Sequence, residues 1–564
     1  MKLNYNYIFI FICFIFPQSN ALSQNISLKI NGTTTEETKI IDSLGYKTEF
    51  SNLKLLTEEI TTVQNKLSIK GYIENKVVST KTKEKDHTYT ISLNKKYNII
   101  YLYYDDNIFS RELISEVFEP SNNEQIKTTI SNIENKLNKL NSSLINNGYP
   151  FSKIHLTDIK KNSDSTLQAK LKLTTGNKRN IENIIVKGYE KFPASYINHF
   201  LNIKKETSFK LEDIKEKMQN LNQLRFTSQT KTPEVLFTKD STTLYLYLEK
   251  TKSNTFDGFL GFGTNEETNK LEFDGYLNLN LINNLNYGEE FSLIYKSDEN
   301  DQKTFNVNAS LPYLFKSPIG TEFSLNIFKK DSSFTTTNQS AKLFYQINPK
   351  QRVYLGLESS QSNNLLDNSN NNNIQDFNSN NFSITYNYEN LNPQNLLFQT
   401  KTLFNLSLKL GKREYNSISE KQESFSLNTF NIFNLNQKNS IYIKIDSKGI
   451  LSDNFLENEL LRFGGINSIR GFEENSLSAS LYSVVNTEYR YLLNKSVYIH
   501  SIIDFAYFED NLTETKEKLF GFGFGFGLIT KAGLLKFNYA NSKSKNQTFK
   551  LNNSKIHLSL NAFF

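Results

Sequence analysis

The feature that most constrains this chain is a change of periodicity near residue 253. Beyond it, apolar and polar residues alternate. Phe404, Leu406, Leu408 and Leu410 are separated by Asn405, Ser407 and Lys409, and Ile441, Ile443 and Ile445 by Tyr442 and Lys444. Period two is a β-strand with one face in an apolar medium and the other in a polar one. Sixteen such segments are expected, from 256–264 and 270–281 through 397–410, 439–450, 480–492, 497–509 and 518–529 to 532–541 and 553–564. The apolar medium is either a second sheet or lipid. The connections choose between them. Those after even-numbered strands carry turn signals, such as Lys316-Ser317-Pro318, Asn348-Pro349-Lys350, Asn392-Pro393-Gln394 and Lys531-Ala532-Gly533. Those after odd-numbered strands include the Asn-rich stretch 363–381 and the long segment 451–479. Tight turns on one rim, long loops on the other and an even strand number describe a transmembrane β-barrel.

Composition agrees. Mean hydropathy is −0.50, and after the N-terminus no apolar run approaches the ~18–20 residues of a spanning helix, so a helical membrane protein is excluded. With 44 Phe and 30 Tyr at regular spacing, so is disorder. Lys2, the apolar stretch Tyr7 to Phe16 and Ala21-Leu22-Ser23 read as a secretory signal over 1–23, with a mature start near Gln24. The only cysteine, Cys13, lies inside that segment, behind the bulky Phe11-Ile12, which argues against a lipid-modification site. A mature chain without cysteine has no disulfides and no thiolate metal site. The formal charge of +7 is spread without a run of like charges. It points to a solvated exterior and not to a nucleic-acid partner.

Residues 24–252 read as three repeats of mixed helix and strand, 24–97, 98–176 and 177–252. Leu56, Ile60, Val63 and Leu67 form one helical face. Ile126, Ile130, Ile133, Leu137, Leu140 and Leu144 form the second, and Leu211, Ile214, Met218, Leu221 and Leu224 the third. Gly71 and Gly148 follow the first two stripes, where a left-handed helix end is expected. Each repeat opens with a strand (Ile26 to Ile30, Ile99 to Tyr103, Ile181 to Val186) and closes with two more. This order and the Gly-aromatic step resemble polypeptide-transport-associated (POTRA) domains. The resemblance implies a periplasmic location and capture of extended client chains by strand addition at a sheet edge, although inert spacers would show the same pattern.

The segment Arg462-Phe463-Gly464-Gly465-Ile466-Asn467-Ser468-Ile469-Arg470-Gly471-Phe472 falls between the eleventh and twelfth strands. It resembles the (V/I)-R-G-(F/Y) motif of the sixth extracellular loop in BamA/TamA-like outer-membrane assembly proteins and two-partner-secretion transporters. Asn486 and Glu488, Asp504, the run Gly521-Phe522-Gly523-Phe524-Gly525, Gly533, Tyr539-Ala540 and the aromatic end Phe563-Phe564 fit the same superfamily. Asn561 departs from it, since the closing strand there often has Gly. Alternation puts Glu488 on one face with Tyr482, Val484, Asn486 and Arg490, and sets Asp504 opposite Ile503, Phe505 and Tyr507. A loop folded inward would bring Arg470 to these carboxylates, with Gly471 allowing the turn beside it. In relatives the motif arginine contacts the acidic residue matching Asp504, so the expected lock is Arg470–Asp504 with Glu488 as second acceptor. The other candidate is the seam between the first and last strands. Gly258, Gly261 and Gly263 should pair weakly with the segment ending at Phe564. Phe520, Phe522, Phe524 and Phe526 alternate with glycine and read as lipid-facing wall.

Three POTRA-like repeats and a sixteen-stranded barrel over 253–564 imply, by this resemblance, an assembly or insertion factor for outer-membrane proteins. Its expected partners are unfolded outer-membrane or secreted client polypeptides, outer-membrane lipids and periplasmic or lipoprotein partners. A two-partner-secretion transporter and a passive pore or surface receptor are the rivals. No G-x-S-x-G, phosphate-loop or H-E-x-x-H pattern occurs, and the histidines (His87, His155, His199, His500, His557) are scattered. No enzyme activity, catalytic residue, metal or cofactor is expected.

Overall fold

The computed structural model describes residues 26–119, 125–264, 271–297, 302–366, 373–545 and 554–563. The segment 1–23, with Cys13, and Phe564 lie outside the described residues. The chain forms two units, one running to Arg179 (with Ser208–Lys210) and one made of Asn180–Thr207 and everything from Leu211 on.

The first unit holds two sheets. β1 (Ile26–Gly32), α1 (Thr35–Asp42), β2 (Glu49–Phe50), α2 (Leu53–Ile69), β3 (Lys76–Lys83) and β4 (Asp86–Ser92) give the order β2-β1-β4-β3, with β1 parallel to β4. α2 starts where the Asn52 side chain accepts the Leu55 N–H at 3.0 Å. It buries Leu56, Ile60, Val63 and Leu67 against Leu28, Ile30 and Ile91. β5 (Ile99–Tyr103), α3 (Arg111–Ser115), β6 (Gln125–Thr129), α4 (Ile130–Asn146), β7 (Lys153–Ser163) and β8 (Thr166–Thr174) repeat the plan as β6-β5-β8-β7. Both sheets carry a short strand, β2 or β6, beyond the strand–helix–strand–strand order read from sequence. One consequence corrects the second stripe. Ile126 belongs to β6, where it and Thr128 point inward, and α4 begins only at Ile130. A spacing of four joined a strand residue to a helix. Gly71 and Gly148 take φ of +101° and +94°, in the left-handed region expected of them.

In the second unit, β9 (Asn183–Lys187), a π-helical turn at Tyr196–Phe200, α5 (Leu211–Gln219), β10 (Thr227–Phe237) and β11 (Thr242–Lys250) form the third repeat, a sheet of order β10-β11-β9. Sixteen antiparallel strands then close a barrel. They are β12 (Thr255–Thr264), β13 (Leu271–Ile282), β14 (Glu290–Ser297), β15 (Gln302–Leu311), β16 (Ile319–Lys330), β17 (Phe334–Asn348), β18 (Gln351–Asn364), β19 (Phe377–Leu391), β20 (Thr400–Tyr415), β21 (Ile418–Asn434) and β22 (Asn439–Leu451). After the short pair β23 (Leu461–Phe463) and β24 (Leu477–Ala479), they continue with β25 (Leu481–Asn494), β26 (Val497–Asp510), β27 (Thr515–Ile529), β28 (Leu534–Lys543) and β29 (Lys555–Phe563). The connections are less regular than the sequence implied. At the far rim 416–417 is a tight turn, and at the rim nearest the third repeat 392–399 is a longer excursion.

The two faces explain the alternation. Leu355, Leu357, Leu408, Leu410, Ile503 and Phe524 stand outward and exposed. Asn486, Glu488, Asp504 and Arg413 are buried on the inner face or against what fills it. A polar interior with an apolar exterior is a wall built for lipid. Among the described residues no helix is long and apolar enough to cross a membrane. The third repeat docks on the barrel rim through aromatics. Tyr196 packs between Phe192, Phe226 and Tyr313, and its hydroxyl donates to the Gly288 carbonyl at 3.1 Å. Burial raises the pKa of that hydroxyl, which stays a neutral donor. Arg225 meets Glu389 at 2.9 Å on another turn of the same rim.

Candidate functional site

The long connection 452–480 folds back into the barrel and is fastened at three places. Its stem is held by Arg413, which is fully buried and pairs with Glu420 on the wall and Glu459 in the loop. Arg413 also donates to the Asn454 carbonyl at 3.3 Å and lies over the Tyr415 ring at 4.5 Å. Beside it Asn458 donates to Ser362 Oγ and to the Gln375 carbonyl, both at 2.8 Å. β23 and β24 then pair antiparallel. Phe463 from this ribbon stacks on Tyr482 with ring centroids 4.6 Å apart, within an apolar cluster that includes Ile469, Phe472, Val484, Ala506 and Phe508. A membrane barrel has few apolar contacts inside. This cluster gives the loop a core of its own.

The tip carries the motif. Gly464 and Gly465 take φ of +109° and +95° after β23. Arg470, 5% exposed, donates from Nε to Asp504 Oδ2 at 2.8 Å and from Nη2 to Oδ1 at 2.6 Å. Its backbone N–H donates to the same Oδ2 at 3.0 Å, and Nη1 donates to Glu488. Burial works against the guanidinium's charge, but the two carboxylates outweigh it and raise its pKa above the ordinary value. The fork is therefore permanently cationic and bidentate on Asp504. Glu488 is shared. Its second oxygen accepts from Arg490 Nε at 2.7 Å, and Arg490 lies 4.0 Å over the Tyr442 ring. Backbone carbonyls of the tip are held too, Ser468 by Asn486 at 2.7 Å and Asn467 by Lys444 at 2.7 Å.

The structure thus brings together Arg470, Asp504 and Glu488, the three residues named from the sequence. It also shows partners that the sequence reading missed. Gly521 of β27 is part of the seat. A Cβ on Gly521 would stand 2.4 Å from the Arg470 carbonyl oxygen, so only glycine lets the tip lie against that strand. Gly471, at φ +94°, turns the chain where a Cβ would meet the Asn541 backbone at 2.7 Å. The Phe-Gly alternation places aromatics toward lipid and glycines inward, with no contact to the loop evident from sequence. Of its inward glycines, Gly521 is the one on which the loop tip lies. A usable signal for the arginines was rarity. The chain has 8 Arg among 65 basic residues, and the barrel's five (Arg352, Arg413, Arg462, Arg470 and Arg490) all lie on its inner face or in the loop within. A guanidinium can bridge two acceptors in a fixed plane, whereas lysine is a point charge.

The seam lies beside the tip. β12 pairs with β13 over ten residue pairs but with β29 over two, Thr255–Phe563 and Phe256–Ala562. The Gly-rich strand was expected to pair weakly. It pairs fully on one side, so glycine content is not the cause. Gly258, Gly261 and Gly263 all sit in that complete ladder. β29 instead spends 555–561 on β28 and reaches β12 only with its last described residues. Where the ladder stops, the Asp257 carboxylate accepts the Leu560 N–H. Adjacent loop residues span the gap, Glu473 meeting Lys555 of β29 at 2.9 Å and Glu474 meeting Lys296 of β14 at 3.0 Å.

An Omp85 superfamily domain matches residues 280–564. The chain belongs to the Omp85 superfamily. Its barrel is an outer-membrane barrel. Among solved structures, BamA from Haemophilus ducreyi lacking POTRA domains 1–3 is 16% identical, with 83% of this chain and 100% of that one covered at a TM-score of 0.51. CdiB from Acinetobacter baumannii is 14% identical (83% and 90% covered, TM-score 0.51), and CdiB from Escherichia coli is 14% identical (90% and 98% covered, TM-score 0.51). At such identities these matches establish the fold. No curated protein matches the sequence. The family match covers the barrel, which three α/β repeats precede.

Proposed function

We propose that this Omp85 protein inserts client β-barrels into the outer membrane, with periplasmic repeats capturing client strands and the barrel seam passing them into the bilayer. The observation that carries the reading is the two-pair junction of β12 and β29 in an otherwise fully laddered barrel. Strand pairing is the barrel's lateral cohesion, and a junction this short leaves edge N–H and C=O groups free to template an incoming strand. The repeats supply capture edges of the same kind. β3 and β7 end their sheets, and most of their residues are exposed. No cofactor is required, because strand pairing and burial of the apolar face in lipid drive the step.

A two-partner-secretion transporter is the alternative. It has the same fold but passes its client through the lumen, into which the 452–480 loop folds. A disulfide across the seam separates the two, and the only native cysteine is Cys13. Thr255→Cys with Phe563→Cys joins register partners. Oxidised, this variant should stop accumulation of many outer-membrane barrels after depletion of the parent, and reduction should restore it. If the oxidised variant supports assembly fully, the lateral route is wrong. Loss of one secreted protein, with barrels unaffected on depletion, would instead identify a dedicated transporter. A passive pore would keep its conductance without the repeats, whereas an assembly factor would fail.

A further inference from the structure

The connection 392–399 between β19 and β20 does more than join two strands. On the same rim 349–350 and 495–496 make their turns in two residues. Here the base is closed by the Asn392 N–H donating to the Gln399 carbonyl at 2.6 Å. Asn395 Oδ1 accepts from the N–H groups of Leu397 and Phe398 at 3.2 and 3.1 Å. A self-bonded turn of this kind is rigid, and its rigidity presents Leu397 and Phe398 as a fixed apolar tip.

That tip points across the mouth of the barrel. Leu397 is buried against Tyr498 and Leu534, with Leu492 and Ile529 at the edge of the cluster. Phe398 meets Tyr498 edge to face at 4.8 Å and lies 4.8 Å from the Arg490 guanidinium. These partners come from the inner faces of β25 to β28, the twelfth to fifteenth barrel strands, whereas the turn leaves from the eighth and ninth. Gly527 keeps that wall flat, since a Cβ there would stand 2.1 Å from the Tyr498 ring. The third repeat grips the base of the turn. Gln223 accepts the Leu391 N–H at 2.8 Å and donates to the Leu391 carbonyl at 3.3 Å, while Arg225 pairs with Glu389. The same Arg490 pairs with Glu488, which pairs with Arg470. A continuous chain of contacts therefore runs from the third repeat through the turn to the loop tip.

We infer that the 392–399 turn is a stopper that closes the lumen at the rim facing the third repeat. Gln223 and Arg225 hold it in place, and Phe398 is the positioning residue that sets Arg490 for the loop lock. The inference rests on the barrel and not on client insertion, so it can fail while the proposed function stands. Full-length protein in planar phosphatidylcholine–phosphatidylglycerol bilayers provides the test. The parent should be largely silent. Leu397→Ala with Phe398→Ala should open a steady ion conductance while keeping the heat-modifiable migration of a folded barrel. Leu397→Cys with Leu534→Cys should be silent when oxidised, even when combined with Arg225→Ala. A folded alanine variant as silent as the parent overturns the stopper. If that variant does not fold, Gln223→Ala with Arg225→Ala, which alters only the partly exposed grip, decides the matter. Raised conductance supports the proposal, and a silent channel overturns it.

Discussion

Removing the Arg470 side chain is the sharpest perturbation of the loop lock, and its cost follows from what is left behind. Arg470→Ala deletes two bonds to Asp504 and one to Glu488 but spares the backbone N–H on Asp504 Oδ2. Glu488 keeps Arg490 as a partner. Asp504, 1% exposed, keeps no direct ion-pair partner among the described residues. Breaking a buried pair from one side costs about 3–5 kcal/mol, mainly because the remaining charge is stranded. At ~1.4 kcal/mol per tenfold, the seated loop loses on the order of 10² to several 10³ in population relative to a released one. Limited proteolysis in 466–472 and hydrogen exchange of the Arg470 amide would read that release directly. Arg470→Lys should recover only part of the loss, since an ammonium cannot hold Asp504 in a fork and reach Glu488 as well. The decisive comparison is Arg470→Ala with Asp504→Ala. Removing the stranded charge should make the double variant less damaging than the sum of the singles, by about 0.5–3 kcal/mol. Strict additivity would falsify the account of Asp504 as the orphaned partner.

Four further outcomes follow. Gly521→Ala should displace the tip and cost about 1–3 kcal/mol through overpacking, seen as faster proteolysis of the loop with the barrel still heat-modifiable. Arg413→Met leaves Glu420 and Glu459 facing each other and should free the stem, so exchange should rise at 454–459 before it rises at 468–472. Glu473→Gln with Glu474→Gln removes two partly exposed pairs worth about 0–1 kcal/mol each. Barrel melting should hardly change, whereas cross-linking of cysteines placed on β12 and β29 should lose its salt dependence. In the first repeat, burial opposes ionisation of Glu37 but hydrogen bonds from Thr33 and Leu93 outweigh it, so its pKa is lowered. Its contribution is present above the ordinary carboxylate value and is lost as pH falls through the lowered one. Exchange protection of the Leu93 amide should fall in that acid window, and Glu37→Gln should remove the dependence.

The barrel was legible because lipid enforces strict alternation. Each of β20, β22, β26 and β27 repeats its apolar residue every second position, and a slip of one would put all of them inside. The motif residues were legible for a related reason. Arg470, Glu488 and Asp504 interrupt otherwise ordinary segments, and parity alone put both carboxylates on the inner face. What escaped notice depended on contacts that no local period carries. β6 escaped because Ile126 and Ile130 differ by four in strand and helix alike. The inner role of Gly521 and Gly527 was hidden by the aromatics between them, since an absent side chain leaves no pattern on the side where it matters. The tip of 392–399 was hidden by Asn392-Pro393, a turn signal that was read correctly but ended too soon.

The contacts inside the lumen have a common physical origin that bears on how the barrel works. A β-barrel of this size is too wide to fill its lumen from its own walls, and here loops from both rims enter it, with seats cut by small residues such as Gly521 and Gly527. Here both fillers settle on the same wall. The tip of 452–480 lies on Gly521 of β27 and on β28, and the tip of 392–399 lies on Tyr498, Ile529 and Leu534 toward the opposite ends of the same strands. The shared wall ends at β29, where the ladder to β12 has two pairs. If the seam widened by a movement of β28, as the proposed function requires of this wall, both seats would be disturbed at once. Arg490 joins them, stacked on Phe398 and paired through Glu488 with Arg470. In the proposed lateral opening, seam, loop and 392–399 turn would not be three independent devices, because the strands that seat both loops, β26 to β28, adjoin the seam strand β29.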